Sequence, residues 1–412
     1  MIITVEDIAA GGHCIARVDG DVYFIRHALP GEKVRIKELE RKKNIVFADA
    51  VEIIEASADR VTPPCRWAGP GRCGGCDFQH VDPAAQRTLK SRVLVEQLTR
   101  LGKFDMELLD RLATAEDRSQ VTVEELPGGA LHWRTRMQYA VGKDGRPGLR
   151  SHRSKNIVHI DECLLASDAI AESDILDKKW FRANARRAHG RRDNLIGAVG
   201  VVESDAEELS VFTQRSRTSA PRLVEGPKRV HQRVGDEEFE LDYDGFWQVH
   251  PHAADTFRTC VLDFLQPQAG EAAWDLYAGA GLYATGLADA VGDTGRVVAV
   301  ENSAQAHTVA NLQDFPNAGA IVGDVGDTVE ALGSVDLVVL DPTRAGAGRE
   351  VMEGIAQAGP RAICYVACDA AALARDARTL VDLGWEFSRM RAFDAFPMTQ
   401  HFETIALFEK TE

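Results

Sequence analysis

The sequence has no apolar run approaching the roughly 18 residues of a membrane-spanning helix, so a membrane protein is not expected. Its first residues carry no basic stretch followed by an apolar core, which argues against a secretory leader. It shows no internal repeat and no long low-complexity linker, which sets aside solenoids and disordered spacers. It also lacks the overall basic charge of many nucleic-acid binders: the net charge is −15. A cytoplasmic chain is therefore expected, and its eight cysteines are not expected to pair as disulfides there.

What is present is balanced for a globular protein, with 45% apolar and 27% charged residues. A length of 412 residues is too great for one ordinary core, so two or three domains are expected. Charge is uneven. Between Leu131 and Arg233 there are 20 Lys and Arg against 13 Asp and Glu, a local basic excess that includes the run RRAHGRR. That segment is either a basic face within an acidic protein or a set of solvated arginines.

Residues 1–57 read as short strands between turns at Asp19-Gly20 and Pro30-Gly31, the pattern of a small OB-like β-barrel. A helix is expected from about Pro83 to Leu101, where Leu89, Val93, Leu94 and Leu98 fall near one face. The central segment 58–233 alternates strand-like pieces with one helix-like stretch near Ile170 to Arg187 and reads as α+β. In the segment 234–412, strands alternate with helices from about Arg258 onward. This predicts an α/β domain with a doubly wound, Rossmann-like sheet.

Within that domain the turn Asp275-Leu-Tyr-Ala-Gly-Ala-Gly281 sits at a strand end and opens a helix. Gly279 and Gly281 allow close backbone approach to a ligand. About twenty residues on, a strand ends in Glu301, placed for a carboxylate to accept bonds from ribose hydroxyls. Those features suit NAD as well as S-adenosylmethionine. Asp324 and Asp341 at successive strand ends, without a phosphate-binding loop, favour a ligand that is cationic at sulfur.

Cys368 closes a strand and precedes a helix, where N–H groups and the dipole favour a thiolate. Asp369 is placed to cap that helix, and its charge opposes the thiolate. Cys364, inside the strand, reads as core, and buried filler is the alternative for Cys368 as well. Glu403, in His401-Phe402-Glu403, is the candidate base. Cys65-x7-Cys73-Gly-Gly-Cys76 with a distant Cys163 is a metal pattern suited to zinc or an iron–sulfur cluster.

Taken together, these segments resemble the RNA (uracil-5-)-methyltransferases with a TRAM domain and an iron–sulfur cluster. The likeness runs from the N-terminal barrel through Cys-Gly-Gly-Cys76, Phe246-Trp-Gln-Val249, the Gly-rich turn, Asp341-Pro-Thr-Arg344 and Cys368 to His401-Phe-Glu403. The resemblance implies a [4Fe-4S] cluster on Cys65, Cys73, Cys76 and Cys163. It implies S-adenosyl-L-methionine held by Gln248, Tyr277, Glu301 and Asp341, with Asp324 a further candidate. It also implies Cys368 as nucleophile and Glu403 as base in forming 5-methyluridine in rRNA or tRNA. The barrel and the central region would contact RNA. For the oligomeric state, which the sequence does not show, a monomer is the simplest expectation. Thr343, Asp369, Ala370 and Leu282 depart from the family's usual residues. Asp369 and the acidic net charge motivate the alternative of a catalytically silent, RNA-binding or redox-responsive homologue.

Overall fold

The computed structural model describes residues 1–181, 196–303 and 307–411. They form two compact units: Met1–Val93, Gly128–Lys228 and Phe396–Gln400 in one, Leu94–Pro127, Arg229–Ala395 and His401–Glu412 in the other. Among the described residues no helix is long and apolar enough to cross a membrane.

The first unit opens with β1 (Ile2–Thr4), β2 (Asp7–Ala9), β3 (His13–Val18), β4 (Asp21–Arg26), β5 (Lys33–Lys42) and β6 (Ile45–Glu55). These form a six-stranded sheet in the order β1-β5-β6-β4-β3-β2. The long pair β5–β6 shifts register at three places, and such bulges bend the strands as a small barrel requires. Ala16, Ile25, Val34 and Val46 alternate inward and are fully buried. Helix α1 (Pro83–Arg100) follows, within one residue of the span expected from its apolar face. The next elements, α2 (Met106–Thr114) and β7 (Val123–Glu125), belong to the second unit.

The remainder of the first unit is built on β8 (Arg136–Val141), β9 (Pro147–Arg150), β10 (Ile157–Val158), β11 (Ala198–Glu203), β12 (Leu209–Gln214) and β13 (Arg222–Glu225). This sheet is antiparallel, in the order β10-β9-β8-β11-β12-β13. The helix expected near Ile170 is only the short α3 (Asp168–Ala171). The chain then folds back, the Trp180 N–H donating to the Gly145 carbonyl (2.9 Å) and its indole N–H to that of Ile175 (2.9 Å). These tertiary bonds compete with helix continuation. The rest of that expected helix, and the run RRAHGRR, lie outside the described residues.

The second unit starts with the hairpin β14 (Arg229–Val234) and β15 (Glu237–Asp242). The chain then alternates α4 (Ala253–Leu265), β16 (Ala272–Leu276), α5 (Leu282–Val291), β17 (Arg296–Glu301), α6 (Thr308–Asn311) and β18 (Ala318–Val322). It continues through α7 (Val325–Thr328), β19 (Leu337–Leu340), α8 (Arg349–Ala358), β20 (Ala362–Ala367), α9 (Ala370–Asp382), β21 (Trp385–Asp394) and β22 (Glu403–Lys410). The eight-stranded sheet has the order β18-β17-β16-β19-β20-β22-β21-β7. Strands β16 to β20 are parallel, while β22 lies antiparallel to both β20 and β21. This is the Rossmann-like α/β fold that the alternation predicts. All four residues of β19 and all six of β20 are buried, because helices cover both faces of such a sheet. Edge strand β7 is fixed by two bonds from Arg391 to Glu124 (2.9 and 2.7 Å).

Candidate active site

The site is built where the parallel strands end. Leu276 of β16 pairs with Val300 of β17 and Leu340 of β19. Tyr277, Glu301 and Asp341 therefore follow at neighbouring strand ends, the crevice where such sheets bind ligands. Tyr277 adopts a left-handed backbone (φ +63°), a costly conformation that turns the chain sharply out of the strand. Gly279 follows at φ +54°, and a Cβ there would meet nothing within 4 Å. The turn thus offers open space directly over its backbone.

Glu301 organises this turn. One carboxylate oxygen accepts the Gly279 N–H (2.9 Å), the other the Ser303 N–H (2.8 Å). From the far side, the Thr308 hydroxyl donates to the Gly279 carbonyl (2.5 Å) and the Asn311 amide to that of Ala280 (2.9 Å). Beneath it, buried Asp275 accepts the Ala284 N–H of α5 (2.8 Å). Asp324 caps α7 through the Gly326 N–H (2.9 Å); burial, and after it the Asp324 charge, push the Tyr277 hydroxyl up to about 12. Gln248 is buried in the segment before α4, next to Trp247, whose ring packs on Phe239. Among the described residues, no hydrogen bond or ion pair ties Gln248 to the strand-end row.

The second half of the site comes from β20 and β22. Ala367 pairs with Thr404, so the next residues along the two strands are Cys368 and Glu403. Strand pairing thus brings together two groups separated by 35 positions. Glu403 is 5% exposed, and burial together with Asp341 raises its carboxyl well above the ordinary range, against the pull of Arg344. Burial pushes Asp341 itself up to about 7. Two neighbouring carboxyls, one buried and one half-buried, resist joint ionisation, so one keeps its proton after the other has lost it.

Cys368 is half-buried between β20 and α9. Its thiol is pushed up to about 12, first by burial, then by Glu403 and Asp341; Arg344 opposes the shift, and Asp369 adds to it least. The helix start does not leave a low-pKa thiol, because burial and two carboxyls outweigh it. Asp369 caps α9 by accepting the Ala372 N–H (2.8 Å). Cys364 is fully buried core.

Two features of the site give no signal in the sequence. Asp376, on α9, accepts the N–H groups of Ala347 (2.9 Å) and Gly348 (3.3 Å) and the hydroxyl of Tyr365 (2.8 Å). It thereby pins the loop that follows Arg344. Tyr283, buried beneath the turn, has electrostatic neighbours in Asp341, Glu403 and Asp275.

The four cysteines of the metal pattern lie in the first unit. Cys65, Cys73, Cys76 and Cys163 line one cavity of about 260 Å³, and none is in a disulfide. Gly74 fits between them because its N–H donates to the Arg150 carbonyl (3.0 Å). A Cβ there would stand 2.4 Å from the His152 nitrogen. The Gln79 amide donates to the Cys76 sulfur (3.4 Å) and the Gly75 N–H to that of Cys73 (3.4 Å). Burial pushes the Cys73 thiol up to about 11 and raises Cys76 and Cys163 as well. Among the described residues, no three His, Cys, Asp or Glu side chains converge closely enough to hold a single metal ion. The donor set, four thiols around one cavity, suits a bulkier thiolate-bound group.

Comparison with known proteins supplies the context for this geometry. The TRAM domain family matches residues 1–51, and the tRNA (uracil-5-)-methyltransferase family matches residues 332–411. An uncharacterized RNA methyltransferase of Streptomyces coelicolor is 43% identical, over 99% of this chain and 92% of its own length. A 23S rRNA (uracil(1939)-C(5))-methyltransferase of Shewanella amazonensis is 31% identical, over 97% and 93%. The crystal structure of a Pyrococcus abyssi tRNA (uracil-54, C5)-methyltransferase, in complex with S-adenosyl-L-homocysteine, superposes with a TM-score of 0.72 at 20% identity. It covers 99% of this chain and 100% of that one.

Proposed function

The chain belongs to the RNA (uracil-5-)-methyltransferases that carry a TRAM domain, and from that membership we propose that it forms 5-methyluridine in rRNA or tRNA through a covalent Cys368 adduct. The observation that carries this reading is the row of Asp341, Cys368 and Glu403, with Cys368 and Glu403 next in register across two strands.

The chemistry needs these groups. Carbon 5 of uracil is too poor a nucleophile to attack a methyl donor unaided. Cys368 gives up its thiol proton to solvent and adds through sulfur to C6, and the C5–C6 π pair moves to C5 as carbanion character, conjugated with the C4 carbonyl. S-adenosylmethionine supplies the methyl group. Glu403 then takes the C5 proton, the C5–C6 double bond re-forms, and the Cys368 sulfur leaves. The target uridine must leave its stack to reach the thiol.

The open space over Gly279 and the surrounding residues Tyr277, Glu301, Asp324 and Asp341, with Gln248 nearby in sequence to α4, fit the methyl donor. Each oxygen of Glu301 keeps a lone pair for a ribose hydroxyl beyond its bond to the turn. Cys65, Cys73, Cys76 and Cys163 would hold a [4Fe-4S] cluster as thiolates, a structural and electron-storing group. The buried thiols' preference for the neutral form means that binding must release protons. Free cysteines throughout suit the cytoplasm. One chain supplies every catalytic group, so a monomer suffices.

The test compares rRNA and tRNA nucleosides from a deletion strain complemented with wild type, Cys368→Ala or Glu403→Gln. Loss of one 5-methyluridine in the deletion, restored by wild type only, is the expected result. Glu403→Gln should trap a protein–RNA adduct that survives denaturation. Full methylation by Cys368→Ala overturns the mechanism. Iron and sulfide analysis of protein purified without oxygen tests the cluster; zinc without iron refutes it.

A further inference from the structure

The floor beneath the reacting pair holds three buried oxygens that have no hydrogen-bond partner among the described residues: the Tyr283 hydroxyl, one oxygen of Glu403 and one oxygen of Asp275. All three side chains are at least nine-tenths buried, at 3%, 5% and 0% exposure. Leaving a hydroxyl buried and unbonded is costly, so a tyrosine is poorly suited to this place unless the oxygen has work there. A phenylalanine would fill the same volume without that penalty.

The groups around this floor come from α5 and from successive strands of the sheet. Tyr283, in the first turn of α5, faces Asp275 of β16, Asp341 beyond β19, Glu403 of β22 and Cys364 of β20. Asp275 faces Asp341 and Glu301. Glu403 faces Asp341 and Arg344, and Cys368 faces Glu403, Asp341, Arg344 and Asp369. The cation that acts on Glu403 and Cys368 is Arg344, and it is exposed. The tyrosine hydroxyl is thus an uncharged O–H donor set among acidic groups.

We propose that Tyr283 is a positioning residue of the methyltransferase site, its hydroxyl donating a hydrogen bond toward the Asp341–Glu403 pair across one ordered water, and so setting the pH at which Glu403 becomes a base. This rests on the reading of Glu403 as the base. A donor favours the charged form of a carboxyl, so it offsets part of the burial that holds the pair neutral. The tyrosine keeps its own proton throughout: burial and three acidic neighbours raise its hydroxyl well above the ordinary value. It acts by orientation and charge stabilisation, and no proton passes through it.

The experiment is Tyr283→Phe, which deletes one oxygen and keeps the ring. Carboxyl infrared bands of the full-length protein, taken as differences against Glu403→Gln, give the titration midpoint of the pair without any RNA. Loss of one hydrogen bond to a charged carboxyl should raise that midpoint by about one pH unit. In single-turnover methyl transfer, the acid limb of the pH profile should move up by the same amount. The rate should fall about tenfold below the limb and recover at high pH. Coincident midpoints and profiles for wild type and Tyr283→Phe overturn the proposal and leave Tyr283 as packing. If wild type transfers no methyl group to any RNA, the functional reading fails, while the infrared titration still judges Tyr283.

Discussion

Alkylation of Cys368 in the free protein tests the electrostatics of the site directly. Its thiol is raised from 9.0 to about 12 by burial and by the Glu403 and Asp341 carboxyls. A shift of about three units reduces the thiolate roughly 1000-fold at neutral pH. Nucleophilicity per thiolate rises with pKa, with a Brønsted slope of about 0.4–0.5, and returns roughly 15- to 30-fold. The net expectation is alkylation roughly 30- to 60-fold slower than at an ordinary exposed cysteine. Iodoacetamide labelling followed by peptide mass spectrometry reads Cys368 apart from the other seven cysteines. Above the pH at which the Asp341–Glu403 pair ionises, Glu403→Gln should speed the labelling several-fold, because it removes the carboxylate that opposes the thiolate most. Asp369→Asn should change it less, since Asp369 contributes least. Labelling as fast as at an exposed cysteine, or a larger effect of Asp369→Asn than of Glu403→Gln, would refute the reasoning.

Two further outcomes concern the framework. Gly346 has φ +86°, and a Cβ there would stand 2.6 Å from the Asp376 oxygen that pins its loop. Gly346→Ala should therefore cost about 1–3 kcal/mol, read as a lower urea midpoint, and should slow methyl transfer by loosening Arg344. The Asp341 carboxyl is raised from 3.8 to about 7 in the fold. A raised carboxyl stabilises fully below its unfolded value, and that contribution is lost as pH rises through the folded one. Urea midpoints should thus decline between about pH 4 and about pH 7, and Asp341→Asn should flatten the decline.

Much of the second unit is legible in the sequence because its buried strands are continuous apolar runs. Leu337–Leu340 and Ala362–Ala367 can hardly be anything but central strands once helices flank them. The Gly-rich turn and Glu301 are likewise local, and their spacing carries their meaning. Pairings across sequence are different. Nothing along the chain announces that β22 returns antiparallel beside β20 and sets Glu403 next to Cys368. Nor does a three-residue segment such as Val123–Glu125 declare itself a strand, since only the pairing with β21 and the Arg391–Glu124 bonds make it one. Asp376 reads as an ordinary polar position of an amphipathic helix until the loop it holds is seen. The helix expected near Ile170 fails for the same reason: Trp180 bonds to Gly145, a partner chosen by tertiary structure.

The acidity around Cys368 suggests how the nucleophile and the methyl donor depend on each other. The sequence raises Asp369 as an obstacle to the thiolate, yet its oxygen is engaged by the Ala372 N–H and its effect is the smallest of the causes. The larger opposition comes from Glu403 and Asp341, which the proposed reaction requires. An empty site of this composition keeps its thiol protonated and harmless. A cation bound beside Asp341 has the opposite effect, since positive charge favours both the carboxylate and the thiolate. Linkage then makes the coupling reciprocal: the cation should bind more tightly as pH rises through the value of the Asp341–Glu403 pair. Two analogues separate this charge effect from simple shielding. An adenosine analogue with an amine in place of the sulfonium should lower the pH midpoint of Cys368 alkylation. S-adenosylhomocysteine, neutral at sulfur, should leave the midpoint in place while slowing access. Equal midpoints with the two ligands would show that the site does not use the donor's charge to ready its nucleophile.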